Sequence, residues 1–170
     1  KMLFREDPYM RDAQATVVAH TAEGGVVLDA TVFYPTGGGQ PGDSGVLEWQ
    51  GQRLAIATAV KGEGDIIALV PSEPLPLPPV GAQVMQHLDW DRRHKHMRVH
   101  TALHLLSVAV PFGVTGGSIS ATHGRLDFDM PDAPDDREAL EDALNGFVEA
   151  DARVSDGWIT PAERAAAPEL

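Results

Sequence analysis

The sequence has 170 residues, of which 43% are hydrophobic and 22% charged, with a formal net charge of −12. That length holds one large or two small globular domains. No apolar run approaches the roughly 18 residues that span a bilayer, there is no charged-then-apolar leader, and the absence of cysteine excludes disulfides; no membrane partner is expected, and the cytoplasm is the expected location.

The net charge opposes a polyanionic partner, because phosphate recognition needs clustered Lys and Arg. The distribution relaxes that objection. Arg92, Arg93, Lys95 and Arg98 fall within seven positions, whereas 13 of the 25 acids lie at or after Asp127. The basic island reads either as an RNA dock or as a solvated helix start.

In chain order, residues up to Leu88 read as short strands: Gln14–His20, Val26–Phe33, Gly45–Trp49, Arg53–Val60, Asp65–Val70 and Val80–Leu88. Gln50-Gly51-Gln52 is a hairpin turn. Many short strands punctuated by Gly and Pro predict a small β-barrel or sandwich. Pro71–Pro79 is a stiff, proline-rich loop.

From Arg92 to Val110 the periodicity turns helical, with Val99, Leu103, Leu106 and Val110 on one face. Asp89 or Asp91 can cap it, and Pro111 with Gly113, Gly116 and Gly117 ends it. Leu126, Phe128 and Met130 alternate with Asp127 and Asp129 as a half-buried strand. Pro134–Ala150 is a second helix with a buried stripe of Leu140, Leu144, Phe147 and Val148. Arg153–Ile159 is a candidate strand, and Thr160-Pro161-Ala162-Glu163 opens a helix with a capping box. Two strands are marginal alone, so the half after Trp90 reads as unfinished.

Two segments can carry chemistry. In Phe33-Tyr34-Pro35-Thr36-Gly37-Gly38-Gly39-Gln40-Pro41-Gly42-Asp43, three consecutive glycines cost backbone entropy and permit φ > 0. Their N–H groups can line an anion- or carbonyl-binding concavity; the alternative is a tight barrel corner. It is not a nucleotide-hydrolase phosphate loop, since no Lys-Ser or Lys-Thr follows. In His100-Thr101-Ala102-Leu103-His104, the histidines lie one helical turn apart and can share a zinc ion. Thr101 stands where the metalloprotease helix has its Glu, and a surface or core role for the pair stays open.

Together, the glycine segment and Arg-Arg-His-x-x-x-x-x-His-Thr-Ala-x-His-Leu-Leu, some 60 residues later, strongly resemble the editing domain of alanyl-tRNA synthetases, and most of all the freestanding AlaX editing proteins. Gly124-Arg125-Leu126-Asp127-Phe128-Asp129 resembles that family's strand-to-helix passage. The resemblance implies an α+β fold: an N-terminal small β-barrel (1–88, with the glycine-rich loop), followed by an α/β editing domain (89–170) with an antiparallel sheet and the His-x-x-x-His helix. It implies a deacylase acting on alanine tRNA that carries serine or glycine, with Thr36, Gly38, Gly39 and Gln40 in the catalytic pocket and Thr36 reading the serine hydroxyl. His100 and His104 match the first pair of zinc ligands, with zinc either activating water or anchoring the substrate amine. The family's Cys-x-x-x-His ligands have no counterpart in this sequence, so the remaining ligands are expected beyond Leu170. Met2, just before the first strand, is expected to mark a freestanding protein. RNA contacts are expected from Arg92, Arg93, Lys95 and Arg98. The alternative is a non-catalytic tRNA- or aminoacyl-binding module of the same fold with a lost metal site.

Overall fold

The computed structural model describes residues 1–134, 136–155 and 157–166. The chain is α+β and divides into two compact units, Lys1–Ala133 and Pro134–Leu170.

In the first unit, six antiparallel strands close a barrel in the order β1-β2-β5-β4-β3-β6. They are β1 (Asp12–His20), β2 (Val26–Leu28), β3 (Gly45–Trp49), β4 (Gln52–Lys61), β5 (Ile67–Pro71) and β6 (Gln83–Leu88). Alternation sets the inner face: Leu54 and Ile56 of β4 are buried while Arg53 and Ala55 are exposed. With Val17, Val26, Phe33, Leu47, Leu69 and Val84 they form a contiguous core. Closure leaves no sheet edge to protect.

The β3–β4 hairpin is one residue tighter than its sequence suggests. Gln52 already pairs with Trp49, so the loop is Gln50-Gly51 alone, both at positive φ (47° and 76°). That is the type I′ turn whose twist matches paired strands.

The expected strand Val26–Phe33 is cut at Leu28. Asp29 turns the chain by accepting the Thr16 N–H on its side chain at 2.8 Å. Val32 and Phe33 remain fully buried, but the backbone here is served by the Gln86 amide. Its oxygen accepts the Val32 N–H (3.2 Å) and the Thr31 hydroxyl (3.0 Å), and its nitrogen donates to Ala30 O at 3.1 Å.

Helix α1 (Trp90–Ala109) starts at Asp89, whose carboxylate accepts the Arg92 N–H. Its Val99 and Leu103 pack against Gly124, where an added Cβ would lie 2.8–2.9 Å from their methyl groups. Antiparallel β7 (Val114–Ile119) and β8 (Gly124–Phe128) follow. The expected strand at Leu126–Met130 is thus found earlier in the chain. The glycines of β7, which in sequence suggest a break, instead permit close backbone approach, since a Cβ on Gly117 would lie 2.9 Å from Arg125 O.

The second unit contains α2 (Arg137–Glu149) and α3 (Pro161–Ala166). Asp136 caps α2 through the Ala139 N–H at 2.8 Å. The Thr160–Glu163 capping box forms with both reciprocal bonds, at 2.6 and 3.2 Å. Two expectations fail here. The α2 stripe is not buried: neither helix has a buried residue, and Phe147 and Val148 are 38% and 61% exposed. The described residues of 153–159 form no strand, and Asp156 lies outside the described residues. Amphipathic spacing marks a face suited to burial; it does not supply the surface that covers it.

Candidate active site

The chain leaves the barrel at Tyr34 and returns at Asp43, and these two residues close the base of the excursion. Asp43 N–H donates to Tyr34 O (2.9 Å), and Tyr34 N–H donates to the Asp43 carboxylate (2.7 Å). At the tip, Gly37 and Gln40 exchange both backbone hydrogen bonds, at 3.0 and 3.1 Å. Gly38 and Gly39 form the turn at φ +58° and +77°, a type I′ geometry that residues with a Cβ rarely adopt. Gly39 also needs to lack a side chain, because a Cβ there would sit 2.8 Å from Gly117 O. Its carbonyl accepts the Ile119 N–H at 2.8 Å, docking the barrel loop onto β7. The N–H groups of Gly38 and Gly39 have no partner among the described residues.

Helix α1 is tied to this loop at three heights. Arg92 donates to Gly42 O (2.7 Å), Arg93 to the Asp43 carboxylate (2.9 and 3.0 Å), and Gln40 Oε1 lies 3.0 Å from His100 Nδ1. Arg93, His96 and His100 are three and four positions apart, so they share one side of the helix. On that side Arg93 and His96 are buried and His100 is half-buried, although all three are polar. Arg93 and Asp43 are 3% and 1% exposed, and Arg93 also donates to Val32 O (2.8 Å) and Pro8 O (3.0 Å). The guanidinium is therefore neutralised and nearly saturated with acceptors, the condition for burying it at tolerable cost.

The Gln40 contact fixes the histidine chemistry. An amide oxygen can only accept, so this contact is a hydrogen bond in the tautomer that carries its proton on His100 Nδ1, and that tautomer leaves Nε2 its lone pair. Burial, followed by the neighbouring His104, lowers the His100 pKa below its ordinary value, which keeps the ring neutral near pH 7. The rings of His100 and His104 stack with centroids 5.0 Å apart and planes 10° apart. Both face a cavity of about 450 Å³ that is also lined by Gly38, Gly39, Leu103, Gly117 and Ile119.

The sequence-predicted residues therefore divide. Gly38, Gly39, His100 and His104 meet in one cavity, and Gln40 buttresses it. Thr36 does not line it. Its hydroxyl accepts the Gly42 N–H (2.9 Å) and lies 3.3 Å from Ala59 O, so it staples the loop. Of the basic island, Lys95 and Arg98 are exposed. Arg92 is half-buried on Gly42, and Arg93 is buried against Asp43. Sequence reading missed Asp43 as the partner of Arg93. The signal was the spacing of Arg93 with His100, which puts the arginine on the barrel side of the helix.

His100 and His104 fit half of a zinc donor set, with the Gln40 contact providing the outer-shell bond that orients a ligating imidazole. Zinc takes three or four protein ligands, and the described residues contain no group of three His, Cys, Asp or Glu able to hold a metal. His123 is exposed and engaged with Ser120 at 3.0 Å. No helix of the described residues is long and apolar enough to cross a membrane.

The family model for class II (A) tRNA synthetases matches residues 8–92. Alanyl-tRNA editing protein AlaX-M of Pyrococcus horikoshii is 31% identical over 166 residues, covering 93% of this chain and 74% of that protein. AlaX-M of Methanosarcina barkeri is 37% identical over 135 residues, covering 75% of this chain and 56% of the relative. Alanine–tRNA ligase of Pyrobaculum neutrophilum is 36% identical over 165 residues, covering 89% of this chain but 18% of the ligase. The chain thus spans about a fifth of that ligase and about half of the Methanosarcina protein. With a glycine turn and a histidine pair meeting where the sequence motifs coincide, and with these relatives in common, the chain belongs to the family of AlaX-type alanyl-tRNA editing proteins.

Proposed function

We propose that this chain is an aminoacyl-tRNA deacylase that hydrolyses the ester joining serine or glycine to alanine tRNA. The observation that carries the reading is one cavity lined both by Gly38 and Gly39, whose N–H groups have no partner among the described residues, and by His100 and His104. An aminoacyl ester is already activated, so hydrolysis asks chiefly for a placed water and a stabilised oxyanion. Gly38 and Gly39 offer two donors, held by the type I′ turn, to the developing negative charge on the ester carbonyl. His100 presents its Nε2 lone pair to the cavity as a metal ligand, and Gln40 holds that tautomer.

Zinc, held by His100 and His104 together with donors outside these described residues, would lower the pKa of a bound water or anchor the substrate amine. Replacing His100 with Ala is expected to lower zinc content and deacylation together. Full activity in metal-free protein rejects the metal. Lys95 and Arg98 supply the phosphate contacts in this reading, so RNA affinity should fall with salt; a salt-independent affinity removes them.

Since Thr36 is committed to the loop, its replacement by Val is expected to slow hydrolysis of seryl and alanyl esters alike. Selective loss on the seryl ester would instead give Thr36 direct contact with the substrate hydroxyl. A non-catalytic aminoacyl- or tRNA-binding module is the second reading, favoured by the finding that no third metal donor joins His100 and His104 among the described residues. Turnover of seryl-tRNA above its spontaneous hydrolysis separates the two: hydrolysis supports the enzyme, and binding without hydrolysis supports the module.

A further inference from the structure

A second cavity, of about 300 Å³, adjoins the same glycine loop. Arg5, Tyr34, Gln40 and Lys61 line it, and no Asp or Glu stands on its wall. Arg93, paired with Asp43, also lines it, so in a chain of net charge −12 an acid-free wall bearing three cations, two of them without a carboxylate partner among the described residues, runs against composition. Lys61, at the end of β4, rests its ammonium against the glycine backbone: a Cβ placed on Gly37 would lie 2.9 Å from Nζ. Neither Lys61 nor Arg5 forms an ion pair among the described residues, whereas Lys1, Arg53, Arg93 and Arg125 each have a carboxylate partner. Gln40 adds a third donor, because its oxygen is taken by His100 and its NH2 remains. The unpaired Arg5 and Lys61 and the Gln40 amide, lining one recess beside Met2, Phe4 and Met97, suit a compact anion with several acceptor oxygens.

We infer that this cavity binds a phosphate group of the RNA strand whose 3′ end carries the ester. The inference rests on the proposed function for the identity of the strand. Gln40 is shared, lining the second cavity while bonded to the histidine of the first. Only the turn Gly37–Gln40 therefore separates the anion site from the oxyanion donors. A terminal nucleoside, with the ester on its ribose and its own 5′ phosphate, presents those two groups at its two ends.

The test uses the full chain and two probes, a short single-stranded oligoribonucleotide with a free 3′ end and inorganic phosphate. Lys61→Met and Arg5→Gln are each expected to weaken oligonucleotide affinity by about tenfold. Each should also flatten the dependence of log affinity on log salt by about 0.7 for each phosphate that is no longer neutralised. Lys61→Arg should retain both affinity and slope. Both side chains are exposed, so unfolding midpoints should match the unsubstituted protein. Unchanged affinity and slope in both variants overturn the inference, as does binding of inorganic phosphate without binding of the oligonucleotide. If ester hydrolysis proves absent while oligonucleotide binding still depends on Lys61, the proposed activity fails and the anion site stands.

Discussion

Inside the barrel, Leu47, Leu54, Ile56 and Leu69 meet with almost no exposed surface, held by burial that has no preferred direction. Along the seam beneath α1, Arg93, Asp43, His96, Gln40 and His100 meet instead. These groups interact over fixed distances and angles, so they set register where hydrophobic contact alone would tolerate sliding. The barrel gives the molecule its stability, and the polar seam places the glycine turn against the histidines. The comparison also explains why a helix whose inner side is partly charged can lie against a barrel: the Arg93 donors have acceptors on Asp43 of the loop and on the Val32 and Pro8 carbonyls beside it. Nδ1 of His96, by contrast, is buried without a partner among the described residues.

The sharpest way to break that contrast is Asp43→Ala. It strands the Arg93 guanidinium, and removing one member of a buried pair costs about 3–5 kcal/mol. Urea unfolding should show that loss, and deacylation by the remaining folded protein should fall with it. Leu54→Ala should cost about 3 kcal/mol by opening a cavity in the barrel, yet leave the activity of each folded molecule intact. Equal losses of activity in the two variants would erase the distinction between core and seam.

A smaller effect is expected from pH. His96 has its pKa lowered, first by burial and then by the Arg92 charge. The unfolded chain therefore takes up the proton more readily below about pH 6.5. The stabilisation is fully present above that value and is lost as pH falls through the lowered folded-state pKa. Urea midpoints measured on both sides of pH 6.5 should decline on acidification, and His96→Leu should remove its share of the slope. Smallest of all, Phe147→Ala in α2 should shift stability by no more than about 0.5 kcal/mol, since its ring is exposed. A loss of several kcal/mol would mean that the α2 stripe is covered.

The same contrast explains which features are legible in sequence. β3, β4 and the Gln50-Gly51 turn can be read because alternation and turn chemistry are local properties. The Thr160–Glu163 box is legible for the same reason. Arg93 cannot be assigned from its place in a basic island, because counting charges does not say which side of a helix each occupies. β7 escapes because Gly116 and Gly117 look like a break until Gly39 and Arg125 are brought beside Gly117. The second half of the expected strand Val26–Phe33 fails because the Gln86 amide, more than 50 residues away, takes the place of a neighbouring strand. The glycine turn and the histidine pair are both visible as segments, but their meeting in one cavity is a property of the closed barrel and its docked helix.

The most direct test is the rate at which this protein deacylates seryl-tRNA of the alanine type, compared with a variant in which His100 and His104 are both Ala. Hydrolysis well above the spontaneous rate, falling to that rate in the double variant while its fold is retained, is the predicted result. Equal hydrolysis by the two proteins would contradict the assignment of the cavity between Gly38–Gly39 and the histidines as the reacting site.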